Sequence, residues 1–290
     1  YAFQIIDGEK VEVQCKFKLK GTTVTFAFPK GYNHNYDLII DPTLMFATYS
    51  GSTANNFGYS ATFDSKGFLY AGSSVFGTGY PTVLGSYDGT FNGGSGLSPG
   101  IDIAISKFDT TGTFLLYSTY IGGNSDELPH SLIVNNFDEL FILGTTSSTN
   151  YPYTTGCYDS TYNGGTPNDL QQGLGANYIN GSDIVASNLS ADGTTLLAST
   201  FIGGSGNDGL NSTHVFTNCA LNVLKYNYAD EIRGEIDIDE NNNIYIVSCT
   251  QSTDFPIVGN VFQPTFGGGD LDGVIIKLDN SLQNIIWSSY

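Results

Sequence analysis

Apolar and polar residues alternate one by one in short stretches along the whole chain. IDIAISKF (Ile101–Phe108), SDIVASNL (Ser182–Leu189) and LDGVIIKL (Leu271–Leu278) are the clearest cases. A period of two places the apolar side chains on one face of an extended backbone, so each stretch predicts a β-strand. Gly, Pro, Asn and Asp cluster between the stretches, where tight turns need them. The chain reads as many short strands joined by turns, an all-β fold.

The strands recur in a fixed series. LLYSTYIGG (Leu115–Gly123) returns as LLASTFIGG (Leu196–Gly204), in weaker form as LMFATYSG (Leu44–Gly51), and begins again as IIWSSY (Ile285–Tyr290). An aromatic-Pro pair opens YPTVLGSYDGTFNGG (Tyr80–Gly94), YPYTTGCYDSTYNGG (Tyr151–Gly165) and FPIVGNVFQPTFGGG (Phe255–Gly269). Asp102, Asp183 and Asp272 each stand at one fixed distance before the next repeat start. A polar turn precedes an aromatic strand in DSKGFLY (Asp64–Tyr70), NNFDELF (Asn135–Phe141) and DENNNIY (Asp239–Tyr245). Upstream of each turn lies an acidic or amide pair, read as Asn55-Asn56, Asp126-Glu127 and Asp230-Glu231. Four strands per copy follow, which in the second are LLYSTYI, HSLIV, LFILGTT and DIVASNL.

Four antiparallel strands in a repeat of this size predict a β-propeller blade. The expected blades run from about 44 to 114, 115 to 195 and 196 to 284, with the next starting at 285. That gives three blades plus the start of a fourth, an incomplete ring, so the chain is expected to be a piece of something larger or to have its ring completed by a partner. Length differences fall in the connections, as a repeat scaffold with variable loops requires. Thr166–Ser182 is long in the second copy, and Ser205–Ala229 is an insertion in the third.

Residues 1–43 differ from the rest. YAFQIID, KVEVQCKFKL, TVTFAFP and YDLIID, with turn signals at Asp7-Gly8 and Lys20-Gly21, predict a small β-meander leader, the end of an N-terminal domain. The propeller repeats then occupy 44–290. The leader holds five Lys and five acids, so the net charge of −18 falls wholly on the repeats. Such an excess of acid argues against nucleic acid as a partner, because phosphate binding needs clustered Lys and Arg. Charged residues make up only 13% of the chain, beside 36 Gly, 19 Tyr and 19 Phe, which suits short strands and tight turns. The sequence has no apolar run long enough for a membrane-spanning helix. Cys15, Cys157, Cys219 and Cys249 lack C-x-x-C spacing, which leaves one bridge involving Cys219 or buried free thiols.

These repeats resemble the SBBP ("seven-bladed β-propeller") repeats of large secreted proteins of Bacteroidota. Tyr117–Gly123, Asp239–Tyr245, Thr250–Pro256 and Asp272–Leu278 carry the resemblance, and Leu38–Leu44 is similar to the segment preceding such repeats. The resemblance implies a cell-surface or secreted multidomain protein of the gliding-motility-associated or adhesin-like kind, exported by the type IX route. Its partners would be other domains of the same large chain, surface proteins or glycans.

No recurrent reactive set accompanies the repeat. Asp102, Asp183 and Asp272 suggest either calcium ligands or, more simply, acceptors for backbone N–H groups at a strand-opening turn. Asp237, Asp239, Glu240 and Asn241 to Asn243 lack the spacing of an EF-hand and read as a solvated turn. Gly204, Gly206 and Gly209 match G-x-G-x-x-G without a strand-to-helix context. His34, His130 and His214 lie in separate segments, and no G-x-S-x-G elbow anchors a nucleophile. Asp126 and Glu127 have the residue types of a glycosidase pair, but Asn55-Asn56 takes their place in the first copy. Tyr49, Tyr120, Phe201, Tyr87, Tyr158 and Phe262 recur at repeat positions and are assigned to packing between blades. Aromatics outside the repeat, Tyr178, Phe216, Tyr226 and Tyr228, escape that explanation. Ligand contacts are therefore expected at Tyr178, His214, Tyr226 and Tyr228, on variable loops held by a rigid scaffold. No cofactor and no enzyme activity are expected. The expected role is a structural or adhesive extracellular module, with a glycan- or calcium-binding lectin-like propeller as the alternative.

Overall fold

Asp7 and Gly8 both take positive φ, 53° and 87°, the left-handed pair that a two-residue hairpin turn requires. They join β1 (Ala2–Ile6) to β2 (Glu9–Val13). The computed structural model describes residues 2–20, 23–40, 46–93, 100–169, 176–211 and 234–290. Its described residues are all-β, with no helix, and no helix among them is long and apolar enough to cross a membrane. The chain divides into two compact units, Tyr1–Thr48 and Tyr49–Tyr290.

In the first unit β5 (Ile39–Ile40) pairs with the free side of β1, while β3 (Lys16–Lys20) and β4 (Thr23–Ala27) form a separate ladder. KVEVQCKFKL therefore folds as two strands rather than one. Its alternation runs unbroken through Cys15, but the pairing partner changes there from β1 to β4. Buried Gln4 fixes the loop before β5. Its Nε2 donates to Asn33 O (2.7 Å) and Tyr36 O (3.0 Å), and its Oε1 accepts from Asn33 N (2.8 Å).

The second unit repeats one antiparallel sheet three times. The first sheet is β6 (Asn56–Phe63), β7 (Leu69–Val75), β8 (Asp102–Phe108) and β9 (Leu115–Ile121). The second is β10 (Glu127–Val134), β11 (Leu140–Thr146), β14 (Asp183–Leu189) and β15 (Leu196–Ile202), with a two-stranded pair, β12 (Asn168–Asp169) and β13 (Asn177–Tyr178), inserted before β14. The third is β16 (Glu235–Ile238), β17 (Ile244–Thr250), β18 (Asp272–Leu278) and β19 (Ile285–Ser289).

This division is offset by one strand from the sequence expectation. LLYSTYI and its equivalents end each sheet instead of opening the next, so residues 285–289 complete the third sheet and do not begin a fourth. The cause is the connection on either side. A tight turn joins β8 to β9, with Asp109 N donating to Phe114 O (3.0 Å) and Asp109 Oδ1 accepting from Thr113 N and Phe114 N. The Gly-Gly step after β9 carries the chain to a new sheet. Each closing hairpin also holds a bulge at one position, leaving Leu116, Leu197 and Ile286 as extra residues.

Neighbouring sheets pack face to face. Tyr70, Ile103, Ile105 and Tyr117 of the first meet Leu132, Leu140, Ile142 and Val185 of the second. Phe141, Leu143, Ile184 and Ala186 of the second meet Ile244, Ile246, Ile276 and Leu278 of the third. The opening strand β10 lies beside both β6 and β16. A latch repeats at both interfaces: Tyr87 N donates to Gly193 O (2.8 Å), and Tyr158 N donates to Leu282 O (2.8 Å). In each case a loop of one sheet grips the closing turn of the next.

Of the repeat aromatics, Tyr120 and Phe201 are buried, and Tyr87 and Tyr158 are half-buried against the inter-sheet cores. Tyr49 and Phe262 are exposed, against expectation. The segment carrying Tyr49 joins no sheet among the described residues, and no described sheet lies beyond the third for Phe262 to meet.

Gly193, at φ 70°, lies flat on the ring of Tyr117. A methyl group there meets the ring and strains the backbone, so Gly193→Ala is expected to destabilise the unit by about 2 kcal/mol. Chemical denaturation measures this. An unchanged midpoint would show that the turn does not sit on Tyr117.

Candidate functional site

The densest polar chemistry lies where the chain passes from one sheet to the next. Asp102, opening β8, accepts from Asn92 N (2.7 Å). Asp183, opening β14, accepts from Asn163 N (2.7 Å) and Gly164 N (2.9 Å). Asp272, opening β18, accepts from Gly267 N. Each ties down the NGG or GGG loop that precedes its strand.

A second carboxyl meets the first two of these. Glu127, at the start of β10, accepts from Gly123 N (3.0 Å) and Thr146 Oγ1 (2.5 Å). Asp208 accepts from Gly204 N (2.8 Å), Ser252 Oγ (3.0 Å) and Thr250 Oγ1. The backbone matches too, with Glu127 N donating to Ile101 O and Asp208 N to Ser182 O, both at 2.8 Å. The pair equivalent to Asp126-Glu127 is thus Asn207-Asp208. Asp230-Glu231, assigned to it from sequence, lies outside the described residues. The signal was the spacing from Gly-Gly, equal in IGGNSDE and IGGSGND, and the third copy's insertion follows the pair.

The first glycine of each Gly-Gly separates the two carboxyls. A Cβ on Gly122 would lie 2.5 Å from Asp102 Oδ1 and 2.7 Å from Glu127 Oε2. On Gly203 it would lie 2.7 Å from Asp208 Oδ2 and 2.9 Å from Asp183 Oδ1. All four carboxyls are fully buried. Burial pushes Asp102, Asp183 and Asp208 up to about 7, and the proximity of Asp208 contributes at Asp183. Burial, and after it Asp102, raises Glu127 well above the ordinary range. Two carboxyls so close and so dry favour a retained proton. Asp102 Oδ1 is buried without a protein donor.

Glycoside chemistry needs two carboxyls open to a cleft with a sugar between them. These are sealed beneath Gly122 and Gly203, and most of their oxygens are occupied by N–H and O–H donors. Among the described residues no three His, Cys, Asp or Glu side chains form a group able to hold a metal ion. The geometry favours a joint between sheets.

A further joint uses lysine. Lys107 Nζ pairs with Asp64 at 3.0 Å, both nearly buried, lies over the Tyr70 ring and donates to Ala191 O (3.1 Å) of the second sheet. Burial raises Asp64, but Lys107 and the Phe68 and Lys66 amides outweigh it and hold the carboxyl below its ordinary value. Lys277 and Asp239 repeat the pair at 3.0 Å. Asp239 also accepts from Asn241 N and Asn243 N (2.9 Å each), so the acid-amide cluster is a side-chain-braced turn.

Tyr178, the expected ligand residue that falls within the described chain, is fully buried. Its ring packs with Ile101, Leu128, Ala176 and Leu210, and its hydroxyl shares a hydrogen bond with Thr145 Oγ1 (2.8 Å). Thr145 Oγ1 also bonds His130 Nε2 (3.2 Å), and burial holds that imidazole down to about 3, hence neutral. His214, Phe216, Tyr226 and Tyr228 lie outside the described residues, as does Cys219; Cys15, Cys157 and Cys249 are free thiols. The G-x-G-x-x-G match forms a turn, with Gly204 N and Gly206 N donating to Asp208 and Ser252.

Fold and joints together define an all-β protein of repeated four-stranded antiparallel sheets, stacked and bolted by buried carboxyls. Residues 1–43 match the family model described as a domain of unknown function (DUF7948). No curated protein matches the chain.

Proposed function

We propose that the chain is a non-enzymatic extracellular module of a large surface protein, a β-propeller of the SBBP type that holds variable loops out to a partner. The propeller is supported by one sheet recurring three times face to face, with opening strands β6, β10 and β16 side by side in the manner of blades about an axis. A structural or adhesive role rests on one observation above others: the buried carboxyls recur at equivalent sheet junctions and engage backbone amides and hydroxyls there. The partners proposed are neighbouring domains of the same large chain, surface proteins or glycans, reached through the loops that depart from the repeat.

The test is a glycan array and a cell-surface binding assay with the full chain and a His214→Ala/Tyr226→Ala/Tyr228→Ala variant. The wild type is expected to bind and the variant to lose binding with an unchanged unfolding midpoint. Undiminished binding by the variant removes the insertion from the role. Hydrolysis of a glycoside panel, abolished by Glu127→Gln, would replace the proposal with an enzyme.

A further inference from the structure

The dipeptide Asn-Gly occurs at three places, Asn92-Gly93, Asn163-Gly164 and Asn180-Gly181. An asparagine followed by glycine can react with its own backbone. The glycine nitrogen attacks the asparagine Cγ, its proton passes to solvent, a C–N bond closes a cyclic imide, and Nδ2 leaves as ammonia. Water then opens the imide at either carbonyl. One product is aspartate; the other is isoaspartate, which carries the side-chain methylene in the main chain. Glycine has no Cβ to obstruct ring closure, so the surroundings of its nitrogen decide whether the step runs.

The first two sites are built alike. Asn92 N donates to Asp102 Oδ2 and Asn163 N to Asp183 Oδ2, each at 2.7 Å. Both asparagine side chains are exposed, and each donates to an acid earlier in its own loop, Asn92 Nδ2 to Asp88 Oδ2 (2.6 Å) and Asn163 Nδ2 to Asp159 Oδ2 (3.4 Å). Their neighbours along the chain, FNGG and YNGG, match.

The glycine nitrogens differ. Gly164 is buried and its N–H donates to Asp183 Oδ1 (2.9 Å), so attack on Asn163 requires breaking a bond to a sealed carboxyl. Gly93 is only half-buried. Its amide is near enough to favour the Asp102 anion, yet it completes no hydrogen bond, and Asp102 Oδ1, the counterpart oxygen, is left without a donor. The third site is held at both ends, with Gly181 N on Tyr178 O (3.0 Å) and Asn180 Nδ2 on Ser147 O (2.9 Å).

We infer that Asn92-Gly93 is a site of spontaneous deamidation in the folded chain, while Asn163-Gly164 and Asn180-Gly181 are shielded by the bonds on their glycine nitrogens. Water is the sole co-reactant. The product bears on the first junction, because aspartate places a new charge beside Asp88, and isoaspartate lengthens the main chain between Gly93 and the Asn92 N–H that Asp102 holds. The adhesive role plays no part in this inference.

Incubating the full chain in mildly alkaline buffer, folded and in urea, tests it, with peptide mapping by mass spectrometry to read the change from amide to acid at each site. In urea, Asn92 and Asn163 are expected to react at like rates, since their neighbours match. In the folded chain Asn92 is expected to lead Asn163 by about tenfold or more, the worth of a hydrogen bond to a carboxyl expressed as a rate. Isoaspartate is expected among the products at Asn92. Equal folded rates at Asn92 and Asn163, a lead by Asn163, or folding that slows Asn92 as much as the other two would overturn the inference.

Discussion

Raising the pH from about 4 to about 7 is expected to lower the stability of the repeat unit, by on the order of 4 kcal/mol for a single junction carboxyl. Asp102, Asp183 and Asp208 stand near 7 in the folded chain against an ordinary 3.8. Between these values the folded state keeps protons that the unfolded state has released. The contribution is therefore complete below the unfolded value and is lost as pH rises through the folded one. His130 acts in the opposite sense. Its folded value near 3 lies below the ordinary 6.5, so its contribution is lost as pH falls from 6.5 towards 3. Urea denaturation across the range from about pH 4 to about pH 8 reads the carboxyl effect. Asp102→Asn should flatten the first junction's share, because it leaves one fewer buried charge to form. A midpoint that holds or climbs over that whole range would mean that these carboxyls are already ionised in the fold, and the joint as described would be wrong.

Truncating Tyr178 is expected to cost about 3–5 kcal/mol, the usual range for removing a buried aromatic ring, because Ile101, Leu128, Ala176 and Leu210 lose their common neighbour. Tyr178→Phe retains the ring and gives up only the bond to Thr145, a loss of about 1 kcal/mol. The two variants separate a strut from a ligand contact. A strut yields a large and a small stability loss with binding unchanged whenever the chain is folded. Near-wild-type stability of Tyr178→Ala, with binding abolished, would restore the residue to the ligand surface.

Strands were legible in the sequence because a half-buried sheet imposes alternation, and the repeat made their order legible as well. Where each sheet begins was not, because a periodic series has no natural cut. That choice depends on which connection is a hairpin and which is a crossing, and LLYSTYI carries the same alternation either way. The junction carboxyls were legible at Asp102, Asp183 and Asp272 through their repetition. Asp208 is not legible from the turn at Asp239, because the insertion lies between them; the fixed distance runs forwards from Gly203-Gly204. Tyr178 misled for a related reason: a residue outside the repeat need not be outside the core, since β12 and β13 add a strand pair to the second sheet's connection and bury its ring. The lysine joint left no pattern, as Asn135 and Asn188 occupy the second copy's positions.

The latch has a mechanical consequence. Each sheet is held to its neighbour by the chain itself at the Gly-Gly step and, at the other end of its strands, by a loop closed over the neighbour's turn at Gly193 or Leu282. Tension drawn along the polypeptide must break both fastenings before any sheet can peel away. Such a stack should give way one sheet at a time, in discrete steps of similar length.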